Sequence, residues 1–281
     1  VRVNLDLAEV QGPEALLEFC ERRLSEFHLV NASAALHRWA KLTAASGGPR
    51  GSAGGPRGGA AAARGAAGEP PPAVEALIRV AAAGCWQRRG PCEARHLSST
   101  AWALATLAIN DEPLLGSISA AACRRIVEFR PQELANTAWA FAQFGWHHRP
   151  LLASISAASI RPLSDSRAHA WQPQHLANLS WAYASLAVRD LPLMESIASR
   201  SIPAIPEFAP QALGAMAWSV ATLGWHHEPQ LRAISAATRA RRRQFGREAI
   251  AATAWSMACL GVRDAPLFGA LADVAMLRMA D

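Results

Sequence analysis

The chain has 281 residues, of which 51% are hydrophobic and 18% charged, and this composition excludes a chain that is disordered throughout. No apolar run reaches the ~18 residues that a membrane-spanning helix needs, so we expect no membrane partner. The formal net charge of +6 favours a polyanionic partner only weakly, because the excess is spread thinly along the chain.

The N-terminal third divides into three segments. Residues 1–43 predict N-terminal helices of a degenerate repeat, with an amphipathic helix over 13–27 and a first repeat helix over 31–42. Residues 44–70 are rich in Gly, Ala, Pro and Arg, cannot bury enough side chain to offset their ordering, and predict a disordered insertion. Residues 71–92 predict a helix and a linker, the helix completing the degenerate repeat.

A repeat occupies residues 93–281. Tryptophans are spaced by 37, 42, 37 and 37 residues, at Trp102, Trp139, Trp181, Trp218 and Trp255. Counting each Trp as position 0, Ala stands at +3 and Pro at +11 in all five repeats, and an aromatic residue stands at −10 in the last four. The five extra residues of the 42-residue spacing fall near 161–171, where we expect a connecting loop.

Each repeat predicts two helices joined by a turn. The first begins at a "PQ" pair in three repeats and ends near a glycine that suits a left-handed stop, as at Gly145, Gly224 and Gly261. The second begins at the Pro at +11 and continues with an apolar stripe. The predicted fold is all-α: a right-handed α-solenoid of helix–turn–helix repeats of about 37 residues.

Two turns carry the sequence GWHH, at 145–148 and 224–227, which raises the question of a metal site. The other repeats carry ordinary turn residues such as Asn-Asp and Arg-Asp at the same place. The two pairs would lie about 20 Å apart in stacked helices, and no cysteine or carboxylate completes a tetrahedral set. We therefore expect solvated turn histidines and no metal ion.

The string "PQELANTAWAFAQFG" (131–145), echoed at 173–187 and 210–224, resembles the repeats of octotricopeptide and heptatricopeptide proteins. These belong with RAP-associated and FAST-kinase-like proteins and with helical-repeat subunits of RNA-editing substrate-binding complexes. The resemblance covers 93–281 and implies an organellar RNA-binding protein of the mitochondrion or plastid. Its role would be in RNA processing, stability, editing or ribosome assembly. Because the first residue is Val1, we expect a fragment or a processed chain.

The fixed positions of the repeat predict which side of each first helix is buried. One side of the helix carries Leu at −5, Ala at −1, Trp at 0 and Ala at +3. The Trp side chain is therefore expected to pack between neighbouring repeats. The stripe at −6, −3, +1 and +4 is polar and variable, as base reading requires. Its candidate RNA-binding residues are His96, Ser99, Thr106, Glu133, Asn136, Gln143, His175, Asn178, Ser185, Ser219, Thr222 and Ser256. The alternative, an ordinary solvated stripe, stays open.

An arginine cluster follows the second helix of the fourth repeat, and we interpret it as a candidate phosphate-binding site. It consists of Arg239, Arg241, Arg242, Arg243 and Arg247. The alternative is a solvated face near a helix C-terminus.

The chain is predicted to bind rather than to catalyse. It contains no G-x-S-x-G, Walker or dinucleotide motif, so we expect no enzyme activity, no cofactor and no small-molecule substrate. Its five cysteines form no C-x-x-C pair, which favours reduced intracellular thiols. The expected partner is single-stranded RNA on the inner face of the solenoid. The alternative is a protein–protein scaffold among other ribonucleoprotein subunits without direct RNA contact.

Overall fold

The computed structural model describes residues 2–45, 70–86, 92–165 and 171–279. Most of the predicted disordered insertion, and part of the predicted loop near 161–171, lie outside these residues. Within them the chain is all-α, and none of the described helices is long and apolar enough to cross a membrane.

The described residues form fourteen α helices joined by turns and short 3-10 segments. They are α1 Arg2–Glu9, α2 Pro13–Arg23, α3 Leu29–Ala45, α4 Pro72–Trp86, α5 Ala94–Thr106, α6 Glu112–Arg125, α7 Pro131–Gln143, α8 Arg149–Ser164, α9 Pro173–Ser185, α10 Leu191–Ala204, α11 Pro210–Thr222, α12 Glu228–Ala240, α13 Arg247–Cys259 and α14 Ala265–Met279. The predicted loop at 161–171 is in part helical, because α8 continues to Ser164.

The first helices of the five repeats, α5, α7, α9, α11 and α13, have the same bounds relative to the Trp. Each has 13 residues, from −8 to +4. Proline at the first position of α7, α9 and α11 suits a helix start, as predicted. Position +6 is left-handed in every repeat and ends the helix: Gly145, Gly224 and Gly261 have positive φ, and so do Ala108 and Ala187.

The second helices, α6, α8, α10, α12 and α14, begin one residue before the predicted Pro. Four helices, α2, α6, α10 and α12, end in a 3-10 turn followed by a buried phenylalanine. These phenylalanines are Phe27, Phe129, Phe208 and Phe245. The predicted aromatic at −10 is thus a core residue where one helix pair leads into the next.

The described residues fall into two compact units, and the division lies within α8, between Ile155 and Ser156. In the first unit α3 packs on α5, α5 on α7, and α4 on α6. In the second unit α11 packs against both α9 and α13, while α12 packs on α10 and α14. Gly214 of α11 allows close approach, because an added Cβ would lie 3.3 Å from the Ala249 Cα of α13.

Helix α3 packs on α5 in the way a repeat helix would. The His28 N–H donates to Asn31 Oδ1 at its start, and Phe27 occupies the place of the −10 aromatic. Counting from Phe27, His37 takes the place of the Trp at position 0. Its ring lies 4.8 Å from the Trp102 ring, centroid to centroid.

The prediction that the five tryptophans are sealed between helices is only partly right. Trp139 and Trp181 are buried, and Trp181 stacks on Trp218 with ring centroids 6.3 Å apart. Trp102 and Trp218 are half-buried. The prediction is wrong for Trp255, which is 49% exposed, because in the described residues no later first helix covers that side of α13.

Candidate functional site

The side chains at position −6 of the predicted RNA-binding stripe cap their own helices. In α5 the Glu93 N–H donates to His96 Nδ1 at 3.1 Å, and in α9 the Gln172 N–H donates to His175 Nδ1 at 3.2 Å. In α7 the Arg130 N–H donates to the Glu133 carboxylate at 2.7 Å. Position −6 is the third residue of the helix, where a side-chain acceptor satisfies an unpaired N–H. The prediction that these three side chains face a ligand is therefore corrected.

Position +1 of the stripe is buried in every repeat. Its residues Ala103, Ala140, Ala182, Ser219 and Ser256 are all fully inaccessible. Ser219 donates to the Ala215 carbonyl at 2.7 Å, and Ser256 donates to the Ala252 carbonyl at 2.6 Å. Small residues here allow neighbouring helices to approach, so the prediction that Ser219 and Ser256 face RNA is wrong.

Positions −3 and +4 contain the stripe residues that keep some exposure. At −3, Ser99 and Asn136 are half-buried, whereas Asn178 is buried and accepts a 2.7 Å hydrogen bond from Gln174 Nε2. At +4, Thr222 is exposed. The other three +4 residues are half-buried, namely Thr106, Gln143 and Ser185.

Position −7, which the predicted stripe did not include, is exposed in all five repeats. Three glutamines occupy it, Gln132, Gln174 and Gln211, and the flanking repeats have Arg95 and Glu248. The recurring "PQ" pair is the sequence signal for this position, but the pair also marks a helix start, which accounts for its recurrence without an exposed binding residue. We call positions −7, −3 and +4 of the first helices the polar face. In the first unit it comprises Arg95, Ser99, Thr106, Gln132, Asn136 and Gln143, and in the second Gln174, Asn178, Ser185, Gln211, Ala215, Thr222, Glu248, Ala252 and Cys259, of which Ala215 and Ala252, like Asn178, are buried.

The polar face contains no large exposed apolar side chain among the described residues. Those that stand exposed lie elsewhere: Val127, Leu191, Trp255, Met276 and Leu277. On the face itself the exposed and half-buried groups are amides, hydroxyls, charges and the Cys259 thiol. Arg95 pairs with Glu93 at 3.0 Å. Such a surface offers hydrogen bonds rather than an apolar groove.

Within the arginine cluster, Arg241 has a structural role. The Arg241 guanidinium donates to the Phe208 carbonyl at 2.7 Å, to that of Pro206 at 3.1 Å and to that of Ile205 at 3.2 Å. The assignment of Arg241 to phosphate binding is therefore corrected, because its donors are engaged within the protein. The other four side chains are exposed: Arg239, Arg242, Arg243 and Arg247.

The second histidine of each GWHH turn caps the following helix. His148 Nδ1 accepts from the Leu151 N–H at 3.2 Å, and His227 Nδ1 accepts from the Gln230 N–H at 3.3 Å. His147 and His226 are exposed. The expectation of solvated histidines therefore holds only for the first member of each pair. In the part of the chain that the structure describes, no three His, Cys, Asp or Glu side chains group as metal ligands.

Aspartate occupies the same cap position, +9, in the other three repeats. Asp111 accepts from the Leu114 N–H at 2.8 Å, and Asp190 and Asp264 accept in the same way. The Ser235 hydroxyl also donates to Asp264, and chiefly this bond lowers the pKa of Asp264. Position +9 therefore selects residues that can accept at a helix start.

No protein-family model matches the chain, and no curated protein matches it either. The functional argument therefore depends on the repeat sequence, on the polar face and on the exposed arginines.

Proposed function

We propose that the chain is a right-handed α-solenoid of repeats of about 37 residues that holds single-stranded RNA along its polar face. Under this proposal it binds without catalysing, and acts in organellar RNA processing, stability, editing or ribosome assembly. The resemblance of 131–145, 173–187 and 210–224 to octotricopeptide-type repeats supports the RNA class. If one repeat reads one base, the five repeats contact about five nucleotides.

The observation that carries the proposal is the chemistry of the polar face. A buried frame of Leu or Ile at −5 and of Ala or Ser at +1 is present in every repeat, and each repeat presents a hydrogen-bonding side chain at −7. Amides such as those of Gln132 and Asn136 can donate to and accept from a base edge at the same time. A surface for an amphipathic partner helix would instead need apolar anchors at i, i+3 and i+4.

Exposed arginines supply the second component that an RNA site needs. Arg242 and Arg243 lie in the 3-10 turn after α12, Arg247 begins α13, and each is exposed. Guanidinium groups bind phosphate oxygens in a bidentate manner, and their contribution is weakened by salt through counterion release. Backbone binding by this group would add affinity without sequence preference.

The test is an electrophoretic mobility shift of a random single-stranded RNA pool with the full chain at low salt. A Gln132→Ala, Asn136→Ala variant is expected to weaken binding about tenfold, because one exposed and one half-buried amide are lost. The matched control is Ser219→Ala, which lies on the originally predicted stripe but is buried, and should bind as the wild type does. An Arg242→Glu, Arg243→Glu variant should bind less tightly and with a smaller dependence on salt.

The second candidate is a scaffold for ribonucleoprotein subunits, and the exposed apolar side chains of the last repeat favour it. Trp255, Met276 and Leu277 offer a contact for a protein rather than for RNA. If the wild-type chain gives no shift at low salt, the RNA proposal is wrong and the scaffold becomes the better one. If the glutamate variant loses binding but the alanine variant does not, only nonspecific phosphate attraction remains.

A further inference from the structure

Two cysteines replace the usual packing pair where α4 leads into α5. At four other joints the residue in the −10 place is a buried phenylalanine, and the residue seven positions before it is small and buried. These pairs are Cys20 with Phe27, Ala122 with Phe129, Ser201 with Phe208, and Thr238 with Phe245. Before α5 the pair is Cys85 with Cys92, so this joint lacks the aromatic ring.

The two thiols lie against each other inside the first unit. Cys85 is 3% exposed and Cys92 is 5% exposed, and the two side chains lie close enough to interact directly. Cys85 is the last residue but one of α4, and Cys92 lies two residues before the start of α5. The Arg125 guanidinium donates to the Cys92 carbonyl and so fixes the backbone of this residue.

The surroundings favour ionisation of one thiol over the other. The hydrogen bond from Cys85, followed by the nearby Arg125 and Arg124 charges, lowers the pKa of Cys92 although burial opposes this. The same contact, together with burial, raises the pKa of Cys85. The adjacent Arg125 and Arg124 charges therefore favour Cys92 as the nucleophile and leave Cys85 as the proton-bearing partner, an arrangement found in thiol pairs that react in sequence.

We propose that Cys85 and Cys92 form a redox-active dithiol, which a peroxide oxidises to a disulfide linking the end of α4 to the start of α5. The Cys92 thiolate attacks one peroxide oxygen, the O–O bond breaks, and a sulfenic acid and hydroxide form. Cys85 then gives its proton to the hydroxide and attacks the Cys92 sulfur. The S–S bond forms as the S–O bond breaks, and the leaving hydroxide takes up a proton. In total two thiols lose two electrons, and hydrogen peroxide becomes two water molecules.

The test is peptide mass spectrometry of the full chain after treatment with hydrogen peroxide and blocking of the remaining thiols. Trypsin cuts after Arg88 and Arg89 and so separates the two cysteines into the peptides 80–88 and 90–95. We expect these two peptides to appear joined, lighter than their sum by two hydrogen atoms. A reducing agent should separate them again. The exposed Cys259 provides a reference thiol in the same sample.

The matched control is the double variant Cys85→Ala, Cys92→Phe. It installs the pair that the next joint contains, Ala122 with Phe129, and should therefore fold with the helix content of the wild type, measured by circular dichroism. Oxidised wild-type protein is expected to unfold at a higher temperature than reduced protein, whereas peroxide should leave the midpoint of this variant unshifted.

Two outcomes would overturn the proposal. One is that Cys85 and Cys92 stay alkylatable under conditions that fully oxidise Cys259. The other is that Cys92 stops at a sulfenic acid or forms a bond to a cysteine other than Cys85. A single Cys85→Ala variant identifies the first step, because it should accumulate the Cys92 sulfenic acid that the wild type passes on to the disulfide.

Discussion

The Arg241 guanidinium donates to the carbonyl of Phe208, 33 residues earlier in the chain, at 2.7 Å, and so links the end of its repeat to the beginning. The two residues stand at +23 and −10 of the fourth repeat. In the first repeat the same two positions are Arg125 and Cys92, and they make the same contact. In these two repeats an arginine at the end of the second helix thus holds the segment that precedes the first helix.

Replacing Arg241 with alanine should lower the free energy of unfolding by about 1–2 kcal/mol, because three carbonyl oxygens lose a charged donor. Urea unfolding followed by circular dichroism measures the change. The neighbouring Arg242→Ala, at an exposed position, should change stability by less than about 0.5 kcal/mol. Equal stability of the Arg241 variant and the wild type would contradict a structural role.

Replacing Ala187 with glycine should stabilise the protein. Ala187 has φ of 50° at the left-handed position after α9, where glycine has no Cβ penalty. We expect a gain of about 0.5–1 kcal/mol in the free energy of unfolding. The reverse change, Gly224→Ala, should cost a similar amount, because its φ is 59° and an added Cβ would touch nothing within 4 Å. The opposite sign in either variant would show that the turn conformation is not the cause.

Removal of the His148 cap should destabilise the start of α8. His148→Ala is expected to cost about 0.5–2 kcal/mol, whereas His148→Asp should retain most of the stability, because aspartate caps the corresponding helix in three other repeats. Thermal and urea unfolding measure both. The exposed His147→Ala serves as the control, and a loss as large as that of His148→Ala would argue against capping.

Two tryptophans at the same repeat position should respond differently to truncation. Trp181→Ala should cost about 3–5 kcal/mol, because Trp181 is buried against Trp218. Trp255→Ala should cost about 1 kcal/mol or less, because half of its side chain is in solvent. Similar losses in urea unfolding would mean that Trp255 is covered in solution.

Stability should fall as the pH drops below about 6.5, the ordinary pKa of histidine, because of His37. Burial, and then the Lys41 charge, lowers the pKa of His37 to about 4. The folded state therefore favours the neutral ring. The stability that this preference contributes is fully present above the pKa of His37 in the unfolded chain, and it is lost as the pH falls through the pKa of His37 in the folded state. Allowing for partial exposure, the loss is at most about 2 kcal/mol.

His37→Phe keeps a ring against Trp102 but does not titrate, so its unfolding free energy should vary less between pH 6.5 and 4. Carboxylates titrate in both proteins, and the difference between the two pH profiles isolates His37. Parallel profiles would exclude the assignment.

The helices could be predicted from the sequence, but the open face could not. Recurring Trp, Pro and Gly fix where each helix begins and ends, because these residues act on the local backbone. Exposure depends on which neighbouring helix covers a position. Small residues such as Ala215 and Ser219 are common both in buried helix contacts and on open surfaces, so their exposure cannot be predicted from residue type. The polar side chains of His96 and His175 serve as helix caps. A capping position varies among polar residues in the same way as a ligand-binding position, so the sequence alone does not separate the two.

The long-range contacts could not be predicted from the sequence, for a related reason. Arg241 belongs to a run of arginines, and nothing in the sequence separates it from Arg242 and Arg243. The structure separates them through the hydrogen bond from Arg241 to the Phe208 carbonyl. Cys85 and Cys92 are seven residues apart, a spacing with no recognised meaning until the joint brings them together.

The cap residues at +9 also limit where the chain can change in length. His148 caps α8 and lies 3.4 Å from the Ser119 hydroxyl of α6, and Asp264 caps α14 while accepting from Ser235 of α12. One added residue in such a turn would displace both contacts together. The one repeat with five additional residues has them after its second helix, near 161–171, and not in such a turn. Insertions engineered into this protein should accordingly be accepted near 161–171 and rejected in the turns that carry a cap at +9.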